Sequence, residues 1–217
     1  MNVVLVHGWG HDAGIWDAVR AQLDPTLAVT TLDFGYFASP TAVPAEPTFT
    51  EPVLAVGHSL GALWWLAQSQ IPWRRLLCLD GFPRFTETDG YPGVAPRVLA
   101  RMQKQLERDP AAVLTDFHAR CGTACPAGAP DVTRLAAGLA QLAELDGRAT
   151  LAARTADVWA VSGDGDPIVP PAMSAAAFAA LPAGHHEIVA VPGHRLPQSR
   201  PELCAQWIAR LCEGRGT

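Results

Sequence analysis

The sequence predicts an α/β protein, in which a mostly parallel sheet is flanked by helices and one helical insertion interrupts the pattern. Short apolar runs, each bounded by Gly, Pro, Asp or Ser, alternate along the chain with runs of helical character. One strand run leads through a tight, glycine-flanked turn at residues 57–61 into a helix. The alternation is broken once, where more than 70 residues separate two strand runs. Together these features indicate β-α alternation around a single sheet.

The strand candidates are short and almost continuously apolar, which is typical of strands covered on both faces of a parallel sheet. They are residues 2–6, 27–33, 52–57, 75–80, 157–162 and 186–191. The helix candidates that alternate with them are residues 14–23, 60–70, 172–181 and 199–212. A parallel sheet with helices on both faces is the arrangement that this order favours.

The long interval between the fourth and fifth strands contains three more helix candidates. They are residues 94–108, 110–121 and 131–145. Pro96 and Pro110 suit the first turns of helices, and Gly122 suits a helix end. We therefore expect residues 82–150 to form a helical cap, and residues 1–81 with 151–217 to form the core. Ligands of open α/β sheets bind at the carboxyl edge, so the cap is expected to cover the substrate site.

Composition excludes several classes of protein. The 217 residues fit one domain, and 49% hydrophobic with 17% charged residues exclude a disordered chain. The net charge of −5 argues against a general nucleic-acid binder. No apolar run approaches the roughly 20 residues needed to span a membrane. The five cysteines, with no secretory signal before them, predict a reduced, cytoplasmic setting without disulfides.

Metal and nucleotide chemistry find little support in the sequence. His118, Cys121 and Cys125 have a spacing that resembles part of a zinc site, but no fourth ligand accompanies them. No glycine-rich phosphate-binding loop is present. We therefore expect neither a metal nor a cofactor.

The strongest chemical signal is Gly57-His58-Ser59-Leu60-Gly61, which follows a strand and precedes a helix. This is the G-x-S-x-G pattern in the strand–turn–helix context that exposes a serine hydroxyl above the sheet. The turn also places the Leu60 N–H at a helix N-terminus, where it favours developing negative charge. Ser59 is the predicted nucleophile.

A serine hydroxyl needs a base, and His194 is the best placed of the histidines. It lies in Pro192-Gly193-His194-Arg195, between the last strand and the last helix. His7 and His58 lie inside the two turns and are expected to be structural. The remaining histidines are expected to be solvent-exposed or to cap helices. They are His11, His118, His185 and His186.

The acid is expected after the next-to-last strand, in Gly163-x-x-Asp166-x-x-Val169-Pro170. Asp166 is the first choice. Asp164 is a local competitor that suits a turn role better, and Asp80, at the end of an earlier strand, is a more distant alternative. The acid would orient the imidazole and stabilise its protonated form. The second oxyanion donor, beside Leu60, is expected to be the Trp9 N–H in His7-Gly8-Trp9-Gly10.

These motifs resemble those of the α/β-hydrolases over essentially the whole chain, in the family order of serine, acid and histidine. Within that superfamily the chain resembles the pimeloyl-acyl-carrier-protein methyl ester esterases of biotin synthesis. The likeness lies in HGWG at 7–10, followed by Asp12, Ala13, Ile15 and Trp16, and in the helical cap. One departure is that Met1 leads directly into what would be the family's third strand, without the usual N-terminal antiparallel pair.

The resemblance implies an α/β-hydrolase fold and a serine hydrolase that cleaves the methyl ester of pimeloyl-acyl-carrier protein. The alternative is a general short-chain carboxylesterase or an acyl thioesterase acting on a small molecule. A non-catalytic receptor built on the same fold is a third reading. Ser59 argues against haloalkane dehalogenases and epoxide hydrolases, which resemble this fold but carry Asp at that turn.

A basic stripe is the last signal. Arg97, Arg101, Lys104 and Arg108 have spacings of 4, 3 and 4, which place them on one helix face. On an otherwise acidic protein, such a stripe favours an acidic partner, and acyl-carrier proteins are acidic. A merely solvated helix face is the competing interpretation.

Overall fold

The computed structural model describes residues 1–37 and 48–214, so parts of both predicted core ranges (38–47 and 215–217) lie outside the described residues. Six strands form one sheet in the order β2-β1-β3-β4-β5-β6, and every neighbouring pair is parallel. The strands are β1 (Val3–Val6), β2 (Val29–Leu32), β3 (Val53–His58), β4 (Trp73–Leu79), β5 (Val158–Gly165) and β6 (His186–Pro192). All six predicted strands are confirmed, with shifts of a few residues at their ends.

Nine α-helices are present in the described ranges. They are α1 (Asp17–Arg20), α2 (Leu60–Ala67), α3 (Pro96–Arg108), α4 (Pro110–Cys121), α5 (Val132–Glu144), α6 (Arg148–Ala153), α7 (Pro171–Ala177), α8 (Leu196–Ser199) and α9 (Pro201–Cys212). The sequence did not predict α6 or α8, because segments of this length show too little of a helical period. The predicted helix 14–23 instead begins as a 3-10 turn, Ala13–Trp16, before α1. Gly122 ends α4 in the left-handed conformation, as expected.

Alternate strand residues feed two separate hydrophobic clusters, one on each face of the sheet. Leu5, Val56 and Leu77 pack on one face with Trp207 and Ile208 of α9. The other face packs against α2 and α7, and its buried residues include Val4, Ala55, Trp65, Cys78 and Ala177. Coverage on both faces explains why the strands are apolar without alternation.

A third cluster joins α3, α4 and α5 to the carboxyl edge of the sheet. Leu99 and Leu106 of α3, Leu114 of α4 and Leu139 of α5 pack together with Leu60. These helices lie in the chain between β4 and β5, within the predicted insertion 82–150. In the described ranges, no helix has both the length and the apolar character needed to cross a membrane.

Candidate active site

The turn between β3 and α2 presents Ser59 at the carboxyl edge of the sheet. Ser59 has φ 53° and ψ −120°, a backbone conformation that residues other than glycine seldom adopt. A Cβ on Gly57 would overlap the backbone of Ala62, and a Cβ on Gly61 would overlap the carbonyl of Val6. Both glycines are therefore required by the close approach of the turn to α2 and β1.

Asp166 and His194 meet directly after β5 and β6. The His194 Nδ1–H donates to Asp166 Oδ2 over 2.6 Å, and both side chains are buried. The other Asp166 oxygen accepts the backbone N–H groups of Ile168 and Val169, at 2.7 and 2.9 Å. Three donors therefore fix this carboxylate and, through it, the ring of His194.

Burial by itself lowers the pKa of His194, because the charged imidazolium loses its hydration. The charge of Asp166, its hydrogen bond and the charge of Asp80 outweigh burial, so the pKa lies above its ordinary value. The imidazole is thus held by acidic neighbours that favour its protonated form.

The turn that carries Ser59 approaches this pair through His58, and no hydrogen bond within the described residues joins Ser59 to His194 or Asp166. The ring of the adjacent His58 is 4.9 Å from the ring of His194, measured between centroids. The His194 Nε2 atom is buried and has no hydrogen-bond partner within the described residues. Catalytic hydrogen bonds often tighten only when substrate binds.

The loop after β1 runs close to Ser59, as the proposed oxyanion role of Trp9 needs. A Cβ on Gly8 would come within 2.8 Å of the Ser59 Cβ. The indole N–H of Trp9 donates to the Leu135 carbonyl oxygen of α5 over 2.8 Å. In the described part of the chain, neither the Trp9 nor the Leu60 backbone N–H donates a hydrogen bond. Both amides are therefore candidates for the two oxyanion donors.

Two residues that hold this loop were not found from the sequence. Asp33, at the end of β2, accepts the Ala13 N–H at 2.9 Å and lies 3.1 Å from His7 Nε2. His118 of α4 places its Nε2 2.8 Å from the Gly10 carbonyl oxygen and its Nδ1 2.7 Å from the Thr123 hydroxyl. The His118–Gly10 hydrogen bond joins the cap to the loop that carries Trp9.

The expectation that the remaining histidines are solvent-exposed or cap helices is wrong for three of them. His11 and His118 are 2% exposed and His185 is 8% exposed. His11 packs against the rings of His58 and His118, since α4 closes over the loop after β1. His185 stacks on Trp159 and bonds the Val158 carbonyl oxygen. His7 and His58 are also buried inside their turns, in line with the structural role expected for them.

The competing acids have other contacts. Asp164 accepts the Val191 N–H at 3.1 Å and so joins the ends of β5 and β6. Asp80 is buried, and its two oxygens accept the N–H groups of Gly163 and Leu196, both at 3.0 Å. Neither carboxylate reaches His194 Nδ1, which Asp166 occupies.

Another serine–histidine contact lies elsewhere in the fold. Ser162 Oγ is 3.1 Å from His186 Nε2. His186 is the first residue of β6, at the opposite edge of the sheet from Ser59, and Ser162 is buried within β5. Ser59 lines the cavity at the carboxyl edge and Ser162 does not, so Ser162 is the poorer candidate for a nucleophile.

A cavity of about 930 Å³ opens above Ser59, between the sheet edge and the helices α3, α4 and α5. Its wall is mainly apolar, and it includes Trp9, Leu99, Met102, Val113, Phe117 and Leu142. Exposed polar side chains from α3 and α4 also border it, among them Arg97, Arg101 and Arg120. An apolar chain with one polar end would match this lining.

All four residues of the predicted basic stripe are exposed on α3, opposite the buried Leu99 and Leu106. Within the described ranges none of them forms a salt bridge. They border a groove of about 470 Å³, and Arg97 and Arg101 border the larger cavity as well. The stripe and the cavity above Ser59 therefore meet.

The three residues of the incomplete zinc pattern do not converge. Both ring nitrogens of His118 are engaged, with Gly10 and Thr123. Cys121 is buried, and its carbonyl oxygen accepts the backbone N–H of His194 at 3.0 Å, whereas Cys125 is exposed.

The sequence of this chain is similar to those of known proteins. The profile of the alpha/beta hydrolase family matches residues 3–207. The pimeloyl-[acyl-carrier protein] methyl ester esterase of Yersinia pseudotuberculosis serotype O:1b (strain IP 31758) is 29% identical, across 98% of this chain and 93% of the relative. The protein of that name from Aeromonas hydrophila subsp. hydrophila is 31% identical, across 79% of each chain.

Solved structures share the fold at lower sequence identity. A thermophilic esterase from Thermogutta terrifontis superposes with a TM-score of 0.75 at 19% identity, over 100% of this chain and 91% of its own. An esterase from Exiguobacterium antarcticum gives a TM-score of 0.76 at 16% identity, over 98% of this chain and 92% of its own.

Proposed function

The chain belongs to the alpha/beta hydrolase family, whose fold its sequence predicted, and we propose that it is a serine esterase that cleaves the methyl ester of pimeloyl-acyl-carrier protein. One observation carries the hydrolytic part of the proposal. The buried pair of His194 and Asp166, 2.6 Å apart, leaves His194 Nε2 without a partner beside the Ser59 turn. That is the arrangement in which an imidazole activates a serine hydroxyl.

In the proposed reaction Ser59 Oγ attacks the ester carbonyl carbon while His194 Nε2 accepts the hydroxyl proton. The carbonyl oxygen becomes an oxyanion that the N–H groups of Leu60 and Trp9 stabilise. When the intermediate collapses, the bond to the methoxy oxygen breaks, and methanol leaves with the proton from His194. Asp166 stabilises the imidazolium throughout this step.

Water then attacks the acyl–Ser59 ester, again giving its proton to His194. The second tetrahedral intermediate uses the same two amides. Its collapse releases the free carboxylic acid and returns the proton to Ser59 Oγ. The complete cycle consumes one ester and one water and forms one acid and one alcohol.

The substrate part of the proposal rests on the cavity and on the relatives. The apolar wall suits the methylene chain of a medium-length acyl group, whose methyl ester would lie at Ser59. The other end of that chain would leave past Arg97 and Arg101, toward the groove beside Lys104. The curated relatives at 28–31% identity carry the name of an esterase with a carrier-linked substrate.

We assign residues 82–150 to a cap and residues 1–81 with 151–217 to the hydrolase core. The assignment is supported by the packing of α3, α4 and α5 with one another and with the residues around Ser59. Limited proteolysis should cut first between α4 and α5, because no helix or strand covers that segment, and should give two fragments that run from residue 1 to the cut and from the cut to residue 217.

The hydrolytic proposal is tested by covalent labelling. A fluorophosphonate probe should label the wild-type protein at Ser59, as identified by peptide mass spectrometry. Ser59→Ala should abolish labelling and ester hydrolysis while the circular dichroism spectrum stays unchanged. Ser162→Ala is the matched control and should keep both. A folded, unlabelled wild-type protein would favour the non-catalytic receptor, and labelling at Ser162 would move the site to the His186 pair.

The substrate proposal is tested by comparing two esters. Pimeloyl-acyl-carrier protein methyl ester should be hydrolysed with a kcat/KM well above that for p-nitrophenyl butyrate, with methanol as the co-product. Expression of the chain should also restore growth to a biotin auxotroph that lacks its own methyl esterase. Equal or better use of the free ester, with no growth, would favour a general short-chain carboxylesterase. Release of the free carrier thiol would favour a thioesterase.

A further inference from the structure

Asp80 is a buried carboxylate that the proposed reaction leaves unused. It follows β4 directly, is 1% exposed and has a backbone φ of 47°. A residue other than glycine in the left-handed region carries a local energetic cost, which its surroundings must offset. Burying a carboxylate adds a further cost unless the carboxylate is hydrogen-bonded.

The contacts of Asp80 reach all three segments that carry the proposed catalytic residues. Its Oδ1 accepts the Gly163 N–H of β5, three residues before Asp166, at 3.0 Å. Its Oδ2 accepts the Leu196 N–H, two residues after His194, also at 3.0 Å. The same Oδ2 lies 4.0 Å from Nε2 of His58, which precedes Ser59.

The carboxylate also lies close to the base. One ligand atom from each of His58, Asp80 and His194 falls within 4.8 Å of the others. At that distance inside a protein, an anion appreciably stabilises an imidazolium. Burial raises the pKa of Asp80 to about 6, with His194 opposing the rise and Asp166 adding to it. The two backbone N–H donors and His194 favour the ionised form of Asp80, against burial and the charge of Asp166.

The surroundings of His194 and Asp80 contain few other titratable groups. Within the described residues, those that face the pair are Asp166, His58, His11, Cys121 and Cys204. Burial lowers the pKa of His11 and His58 and raises that of both thiols, so these four groups are neutral at pH 7. The two aspartates supply the negative charge around the base.

We propose that Asp80 is a positioning residue of this esterase: its carboxylate ties the acid-bearing and base-bearing loops together beside the serine turn, and its charge supports the His194 imidazolium. The inference rests on the proposed function. It differs from a role as the triad acid, because Asp166 occupies His194 Nδ1 and backbone N–H groups occupy both Asp80 oxygens.

The test compares Asp80→Asn with Asp164→Asn. In Asp80→Asn the side chain carries no charge, and its single oxygen accepts only one of the two backbone N–H groups. We therefore expect kcat to fall about tenfold or more. The acidic limb of the kcat/KM profile, which reports deprotonation of His194, should move to lower pH by about one unit. Asp164 also accepts a backbone N–H at a strand end, at 3.1 Å. Asp164→Asn should nevertheless change neither kcat nor the position of the acidic limb. Asp80→Glu, which restores the charge, should return the limb toward its wild-type position.

If Asp80→Asn lowers kcat but leaves the acidic limb of the kcat/KM profile in place, Asp80 has only a structural role and the inference is overturned. If Asp80→Asn does not fold, NMR titration of the wild-type protein decides. His194 ring signals that shift with the titration of the Asp80 carboxyl support the inference. His194 signals that do not respond to the titration of Asp80 overturn it. Failure of the proposed function gives a different result, namely a wild-type protein that is not labelled at Ser59.

Discussion

The Nδ1 atom of His194 and the Oδ2 atom of Asp166 lie 2.6 Å apart, in a contact nearly closed to solvent. We predict that Asp166→Asn lowers kcat by about 10⁴-fold, because an amide in this place favours the wrong imidazole tautomer and cannot stabilise the imidazolium. Steady-state hydrolysis of a p-nitrophenyl ester measures the loss. Asp164→Asn should stay within about twofold of wild type. A smaller loss for Asp166→Asn than for Asp80→Asn would assign the triad acid to the earlier strand.

The sheet and its carboxyl edge could be predicted from the sequence because both depend on local signals. Each strand is a short apolar run with a polar or glycine-rich end, and parallel strands bring those ends to one edge. Ser59, Asp166 and His194 each follow a different strand, so their approach follows from topology. The glycines around Ser59 add a steric requirement that is visible in the sequence, since a Cβ on either would overlap backbone.

The residues that brace the site could not be predicted in the same way. His118 reaches the Gly10 carbonyl across 108 positions of the chain, and Asp80 reaches the Leu196 N–H across 116. Both contacts depend on how the cap and the last loop pack, which no local pattern specifies. Burial of His11 has the same origin. The polar residues around His11 suggest that it is exposed, but α4 covers it in the folded protein.

We predict that His118 supports catalysis through the loop that carries Trp9. His118→Phe keeps an aromatic ring but loses the hydrogen bonds to the Gly10 carbonyl and the Thr123 hydroxyl, at 2.8 and 2.7 Å, so kcat should fall about tenfold, with KM little changed. His185→Phe is the control, since this buried histidine also bonds a carbonyl, at 3.0 Å, but at the opposite edge of the sheet. Thermal unfolding establishes that both variants are folded. Equal losses for the two would mean that His118 acts only through stability.

Buried neutral histidines should make the fold sensitive to mild acid. Burial, with smaller contributions from neighbouring histidines, holds the pKa of His11 and His58 well below the ordinary 6.5. Their stabilising contribution is present above pH 6.5 and is lost as pH falls below it, because the unfolded chain then binds protons that the folded chain excludes. Each such histidine steepens the fall in the free energy of unfolding by up to about 1.4 kcal/mol per pH unit.

His194 has a raised pKa and contributes in the opposite sense, since its share of stability is present at low pH and is lost as pH rises. Urea unfolding of the wild type between pH 7.5 and 5 measures the net slope. In His11→Gln the slope of the free energy of unfolding against pH should fall by the equivalent of about one bound proton. An unchanged slope in that variant would show that His11 takes up its proton in the folded state.

The last prediction concerns the stripe of Arg97, Arg101, Lys104 and Arg108, which we propose receives an acidic carrier protein. Changing Arg97 and Arg101 to Glu should raise KM for the carrier-linked methyl ester about tenfold at low salt, and less at 0.5 M salt, where exposed charges are screened. Hydrolysis of a short free ester should change little, because a short acyl group at Ser59 does not extend to the exposed Arg97 and Arg101 side chains. The control changes Arg74 and Arg210 to Glu. Both are exposed elsewhere on the protein, so the control variant has the same net charge as the test variant. Equal losses on both esters would make the stripe structural, and no loss on either would leave it a solvated helix face.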